Sequence, residues 1–380
     1  MKVAIFTKQF PDKGFIGGAE IQAYLLAKYL TLRNHQISYL AFGDQKNQAE
    51  KKDGFTIKYI AGIKDKSLNF VKSLHQSLKK DRPDIFFIRD FRYLFLSNLV
   101  CKNLKIPLVY NTTHINNCQP YPKKIEASPN PVASLASIKA GLMHYLNFVA
   151  LKKVNLITIN KYHARLLKDK YNITATPIYN SMEDNYEKNK LAKKENIVVW
   201  VANLKTRKRP ELYIQLADQL KHSNYKFIMI GYIQNNLAEY EKMIQQTEKN
   251  NPNFKYLGGL PTDQVDQIMA KAKIFVNTCL PEGFGNNFIQ AWFNECPTVT
   301  LDFDPDDIIK NNGIGCHSRS FEQMVKDVEF LTKNEAERLK MGKKAREYAL
   351  EYHLPQNNVL KYESFFKNLI AKDNYAKKIK

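Results

Sequence analysis

The chain has 380 residues, of which 44% are hydrophobic and 25% charged, and it carries a formal charge of +21. That length exceeds one typical hydrophobic core, so two domains of roughly 180–190 residues each are expected. No apolar run approaches the ~18–20 residues that span a bilayer, and the run after Met1 is far too short for a signal peptide.

Taken in chain order, the first half alternates short apolar strands with helical patterns. Strands are expected at 3–7, 36–42, 56–60, 85–88, 108–111 and 156–159, and helices at 19–33, 68–80 and 164–170. A tract at 116–130 breaks the alternation. It carries Pro120, Pro122 and Pro129 with two adjacent lysines and leads into the apolar stretch 132–151. An irregular loop followed by an amphipathic segment reads equally as an acceptor lid, a membrane-contact surface, or a surface loop before a core helix. The polar stretch 180–196, poor in apolar residues, marks a domain join. The second half repeats the pattern, with strands at 197–201, 226–230, 254–256 and 274–277 and helices at 211–222, 238–250, 262–271 and 286–294. Helical patterns at 335–352 and 360–372 follow. Alternation of this kind predicts an α/β protein with two parallel, doubly wound sheets.

Charge is unevenly placed. Residues 1–180 hold 28 Lys and Arg against 11 Asp and Glu, or +17, which leaves +4 for the remainder. A strongly basic half predicts an anionic partner, although a plain lysine-rich solvated surface gives the same count. No nucleic-acid-binding module is recognisable, and the basic residues are not interleaved with stacking aromatics, so no nucleic-acid partner is expected. The five cysteines are scattered, without C-x-x-C spacing, and form no metal pattern with His35, His114 or His163. They read as buried free thiols of a reducing cytoplasm.

Three segments carry chemistry. The first strand runs into Gly14-x-x-Gly17-Gly18-Ala19-Glu20, a glycine loop at a helix start, with spacing unlike G-x-G-x-x-G and without the acid a dinucleotide ribose requires. A dehydrogenase is therefore disfavoured. At the start of the second half comes Ala202-Asn203-Leu204-Lys205-Thr206-Arg207-Lys208-Arg209-Pro210, a basic run before a helix. The third is the most informative: Pro281-Glu282-Gly283-Phe284-Gly285-Asn286-Asn287-Phe288-Ile289-Gln290. Here a strand breaks, an acid is exposed, two glycines let backbone approach a ligand, and a helix N-terminus offers N–H groups.

The third segment resembles the signature of the retaining, nucleotide-sugar-dependent glycosyltransferases of family four, which have the GT-B fold: two Rossmann-like domains facing across a cleft. The family's motif is E-G-F-G with a second acid eight positions after the first. Glu282 matches the first acid, and Gln290 stands at the second, which in the family grips the ribose hydroxyls. The Gly17–Gly18 loop resembles the family's G-G-x-E opening, which lies against the donor diphosphate. The basic run is similar to G-R-L-x-x-x-K-G, whose Arg and Lys clamp the diphosphate. Lys208 holds the Lys position, Asn203 replaces the Arg, Arg209 replaces a Gly, and Arg207 or Lys205 is left to supply the missing charge.

The strand before His114 resembles one that ends in a His facing the donor sugar, and Gly231 falls where the family has G-x-G. The resemblance thus implies Lys208, Glu282 and His114 as catalytic residues. It implies donor contacts at Gly17, Gly18, Asn203, Arg207, Gly231, Gly283, Phe284, Gly285, Asn286, Asn287 and Gln290, with no metal and no cofactor beyond the nucleotide-diphosphate sugar. It implies an acceptor-binding domain at 1–180, a nucleotide-sugar domain at 181–355 and a helix at 356–380 that crosses back to the first. The expected reaction is transfer to a saccharide or lipid-linked acceptor in cell-surface polysaccharide or glycolipid synthesis. The expected place is the cytoplasm, with peripheral contact at an anionic inner membrane face. A sugar-nucleotide epimerase or phosphorylase of the same fold, or an inactive GT-B scaffold, remains as the alternative.

Overall fold

The computed structural model describes residues 1–11, 17–43, 49–60, 67–120, 134–189, 192–233 and 237–378. Gly14 and the tract 121–133 lie outside them. The chain divides into two compact units, Met1–Ser181 with Pro355–Lys380, and Met182–Leu354.

In chain order the first unit holds β1 (Lys2–Phe6), α1 (Gly18–Leu32), β2 (Gln36–Phe42), β3 (Ala49–Lys52), β4 (Phe55–Ile60), α2 (Ser67–Asp81), β5 (Ile85–Ile88), α3 (Leu94–Leu104), β6 (Leu108–Asn111), α4 (Ser134–Leu151), β7 (Asn155–Thr158), α5 (Lys161–Tyr171) and β8 (Thr176–Pro177). Its sheet runs β3-β4-β2-β1-β5-β6-β7-β8, and every described pair is parallel except β3 with β4. The central strand β5 is apolar along its whole length, as a strand covered on both faces must be, and its four residues are all buried.

The second unit holds α6 (Tyr186–Asn189), β9 (Ile197–Val201), α7 (Pro210–Gln219), β10 (Lys226–Ile230), α8 (Ala238–Asn250), β11 (Phe254–Tyr256), α9 (Thr262–Lys271), β12 (Ile274–Asn277), α10 (Asn286–Phe293), β13 (Thr298–Thr300), α11 (Ile308–Asn312), β14 (Gly315–His317), α12 (Phe321–Lys333) and α13 (Glu335–Tyr352). Its parallel sheet is ordered β11-β10-β9-β12-β13-β14. The last helix, α14 (Pro355–Lys378), belongs to the first unit, where Val359, Tyr362 and Phe366 join the core built on β1, β2 and α1. No helix among the described residues is long and apolar enough to cross a membrane.

In both sheets the strand order reverses once. In the first unit the reversal falls between β1 and β5, and in the second between β9 and β12. Loops leaving the carboxyl ends of such a strand pair diverge to opposite faces and leave a crevice, where open α/β sheets bind ligands.

Several elements were not expected from the sequence. β3 is a charged four-residue edge strand, joined to β4 by Asp53 (φ 48) and Gly54 (φ 81), a tight hairpin turn with both residues left-handed. β13 and β14 have three residues each, too few for a period to show. α12 starts where Ser320 accepts from Gln323 N, a capping pair that its sequence displays. α5 begins three residues before the expected 164, because Asn160 Oδ1 accepts from His163 N at 2.7 Å and caps the helix there.

Candidate functional site

In the second unit the loop after β9 carries Asn203 to Arg209, and the loop after β12 carries Thr278 to Gly285. Because β9 and β12 pair side by side, these loops start as neighbours. Their contact is an ion pair: Lys208 Nζ donates to both Glu282 oxygens at 2.7 Å. The two side chains are 19% and 17% exposed, so the pair is shielded yet reachable. Burial pulls the Lys208 ammonium down, but the Glu282 carboxylate and the Cys279 thiol more than offset this, and the net shift is upward. Lys208 therefore stays charged. Lys205 is lowered by burial and by the neighbouring charge of Lys208, with Arg207 adding to it. Three cations thus stand around one carboxylate, an excess of positive charge that suits an anionic ligand.

A set of polar contacts fixes the backbone beneath the pair. Thr278 Oγ1 donates towards the Lys208 carbonyl (2.7 Å) and the Arg209 carbonyl (3.0 Å), and accepts from the indole of the buried Trp200 (2.9 Å). Arg209 adopts a left-handed φ of 47°. Its guanidinium donates to the Thr278 carbonyl at 2.7 Å and to Asp302 at 2.5 Å. Arg207 donates to the Pro281 carbonyl at 2.7 Å, and its own carbonyl accepts from Leu280 N at 2.9 Å. The two loops are therefore stitched by backbone and side chain together. Thr278, Arg209 and Asp302 were not singled out by the sequence reading as site residues. The signal for Arg209 was a bulky residue at a place where the resembled motif has glycine.

The remaining candidates sit around this pair. Gly285 caps α10 with no side-chain cap, and a Cβ there would run into Asn287 and the Phe288 ring. Gly283, Phe284 and Asn286 form the entry to α10 in the same loop, with Phe284 6% exposed. Asn287 Nδ2 donates to the Val201 carbonyl at the end of β9, at 2.6 Å. Gly231 has φ 151°, and any Cβ would collide with the Ala202 carbonyl, so only glycine lets β9 and β10 end this close. Asn203 turns its Oδ1 to Tyr232 N at 3.4 Å rather than outward. Gln290 is 7% exposed, and its amide nitrogen lies 3.5 Å from Asp266 on α9. Cys279, beside Lys208, is no nucleophile at neutral pH: burial, and then the Glu282 charge, push its thiol up to about 12.

The first-unit candidates lie at the other reversal of strand order. Gly17 caps α1, and Gly18 is its first residue. His114 follows β6, and its Nδ1 accepts from Asn116 N at 3.0 Å, which leaves Nε2 to carry the ring proton. A cavity of about 430 Å³ opens there, lined among others by Lys8, Glu20, Arg89, Arg92 and His114. Arg89 and Asp90 escaped the sequence reading. Their signal was a charged pair directly after the apolar β5.

The comparisons bear on this arrangement. The family model described as Glycosyl transferases group 1 matches residues 181–348, and that described as Glycosyltransferase Family 4 matches residues 16–182. No curated protein sequence is a significant match. Among solved structures, sucrose-phosphate synthase from Thermosynechococcus elongatus aligns with a TM-score of 0.78 at 13% identity, over 98% of this chain and 99% of that one. The Anabaena HepE protein in complex with UDP aligns with a TM-score of 0.72 at 15% identity, over 97% of this chain and all of that one (100%). WaaG, a glycosyltransferase involved in lipopolysaccharide biosynthesis, aligns with a TM-score of 0.66 at 15% identity, over 94% of this chain and 98% of that one. The two family models meet near the boundary between the compact units, and the fold agrees along the whole chain. The protein is a GT-B glycosyltransferase of the family-four type.

Proposed function

We propose that the protein transfers a sugar from a nucleoside-diphosphate sugar, with retention of anomeric configuration, to a saccharide or lipid-linked acceptor in cell-surface polysaccharide or glycolipid synthesis. The observation that carries this is the Lys208–Glu282 pair at the β9/β12 reversal, with Lys205 and Arg207 adding positive charge. Lys208 has three N–H donors, two of them directed at Glu282. The third, now beside the weakly accepting Cys279 sulfur, is the one offered to a phosphate oxygen. Glu282 then accepts from sugar hydroxyls, with the backbone of Gly283–Asn286 beside it. Gly17 and Gly18 support the diphosphate, and His114 faces the sugar. Structures of HepE with UDP and with UDP-glucose support a nucleotide-sugar donor.

In the proposed step the C1–O bond to phosphate breaks and its electron pair passes to the diphosphate. The acceptor hydroxyl bonds to C1 on the same face, and its proton goes to the departing phosphate oxygen. Preorganised cations stabilise the growing negative charge, so the step needs no metal.

Peripheral membrane contact is supported by α4. Ile138, Leu142 and Tyr145 recur on one helix face and are 67%, 57% and 42% exposed. The sequence from Phe91 to Lys153 has eight basic residues and one acid, Glu126. An exposed apolar stripe in so basic a stretch suits an anionic lipid surface.

A thermal-shift screen of UDP-, GDP- and ADP-sugars tests the donor reading, since a ligand that binds only the folded state raises the melting temperature. A rise with one base, followed by transfer of labelled sugar, is the expected result. No rise with any of them would leave the inactive scaffold.

A further inference from the structure

The 430 Å³ cavity of the first unit opens at the carboxyl ends of β1, β5 and β6, beside the start of α1. Its buried charged residue is Arg89, 3% exposed. One terminal nitrogen of Arg89 donates to Asn180 Oδ1 at 3.1 Å, and the Tyr362 hydroxyl also lies against the guanidinium. Its Nε has no hydrogen-bond partner. Among the described residues, no carboxylate pairs with it. Asp90 is occupied by a fork from Arg92, with Nε and a terminal nitrogen at 3.0 and 2.5 Å. Glu20 turns its carboxyl back towards Gly17 and its own helix start.

A guanidinium buried without a hydrogen-bonded anion is costly, because desolvation is not repaid by a counter-charge. Such a group persists where a ligand completes it, and the flat fork of arginine matches the two oxygens of a phosphate or carboxylate. Lys8 adds an exposed cation on the same cavity, and the exposed Arg92 adds N–H donors although Asp90 matches its charge.

We infer that this cavity binds an anionic group, a phosphate or carboxylate, carried by the acceptor, with Arg89 as its buried anchor and Lys8 and Arg92 as outer contacts. This rests on the transferase reading for the word acceptor, but the anion site itself does not. The competing source of the same chemistry is the diphosphate of the donor, assigned above to the Lys208 loop.

Isothermal titration of the full chain with glucose 6-phosphate, glucose and UDP, at matched ionic strength, separates the sources. Glucose 6-phosphate should bind wild type and Lys208→Ala equally well and glucose should bind neither measurably. Arg89→Met should weaken the glucose 6-phosphate affinity by about tenfold or more, and Lys8→Ala by about threefold. UDP should show the opposite dependence, weakened by Lys208→Ala and indifferent to Arg89→Met. If Arg89→Met does not fold, Lys8→Ala and Arg92→Ala carry the test, since both side chains are on the open side of the cavity. The inference is overturned if glucose 6-phosphate binds no better than glucose, or if its binding depends on Lys208 and not on Arg89, Lys8 or Arg92. Loss of UDP binding in wild type would instead strike at the donor reading and leave the anion site standing.

Discussion

Before any ligand arrives, Lys208 and Glu282 are held in register by each other, and each restrains what the other can do. The amine is kept charged by the carboxylate 2.7 Å away. The carboxylate has a fixed orientation from which to meet hydroxyls. Replacing Lys208 with Ala should lower kcat by about 100- to 1,000-fold, the size of one preorganised charge donor. A variant retaining more than half of normal turnover would remove Lys208 from the mechanism. Arg209 permits a different test. Its left-handed backbone costs about 1 kcal/mol for a non-glycine residue, and its guanidinium offsets this through Thr278 and Asp302. Arg209→Ala keeps the strain and loses both bonds, whereas Arg209→Gly loses the bonds and the strain. Urea melts should therefore find the Gly variant more stable than the Ala variant by about 1 kcal/mol. Equal stability would mean that the left-handed conformation is not kept in solution.

Among the elements, α14 has a defined electrostatic seat on the first unit. Glu363 accepts from Arg33 at the end of α1 (2.5 Å) and from Lys367 one turn on, and pairs with His35 at 3.2 Å. Hydrogen bonding from Lys367, against some burial and with help from Arg33, holds its carboxyl at about 2, below the ordinary 4.5. A depressed carboxylate stabilises the fold above its unfolded value, and that contribution is lost as the pH falls from about 4.5 to about 2. Glu363→Gln should cost about 1.5–3 kcal/mol at pH 7, and the gap to wild type should close across that acid window. A gap that stays constant from pH 7 to pH 2.5 contradicts the assignment. On α4, the double substitution Ile138→Glu with Leu142→Glu should abolish flotation on anionic vesicles without lowering the melting temperature. Unchanged flotation would detach α4 from any lipid surface.

For the whole molecule, the alternation of strands and helices was legible because parallel strands buried on both faces read as unbroken apolar runs. β2, β5, β6, β9, β10, β11 and β12 fall where the sequence puts them. The strands that escaped were either too short to have a period, like β13 and β14, or polar by position, like the edge strand β3, whereas the helices α3 and α12 escaped despite being long enough to show one. The Asp53-Gly54 pair was nonetheless a hairpin signal in plain sight. At the site, the Lys208 and Glu282 segments could be picked out by motif, and the strand order then brings their loops together. Asn203 and Gln290 could be named but not oriented, since a side-chain amide turns to whichever neighbour can donate to it or accept from it, here the Tyr232 N–H and the Asp266 carboxylate. Arg89 was hidden for another reason. A sequence does not show whether a charge after a strand ends in solvent or beneath a cavity.

The proposed function divides the labour on the second unit, with Lys208 on the diphosphate and Glu282 on the sugar. Calorimetry with the free nucleotide and its sugar conjugate, on wild type, Lys208→Ala and Glu282→Gln, reads that division directly. Lys208→Ala should weaken both ligands alike, while Glu282→Gln should leave the nucleotide unaffected and erase the extra affinity contributed by the sugar. Both variants binding both ligands as wild type does would remove Lys208 and Glu282 from the donor site.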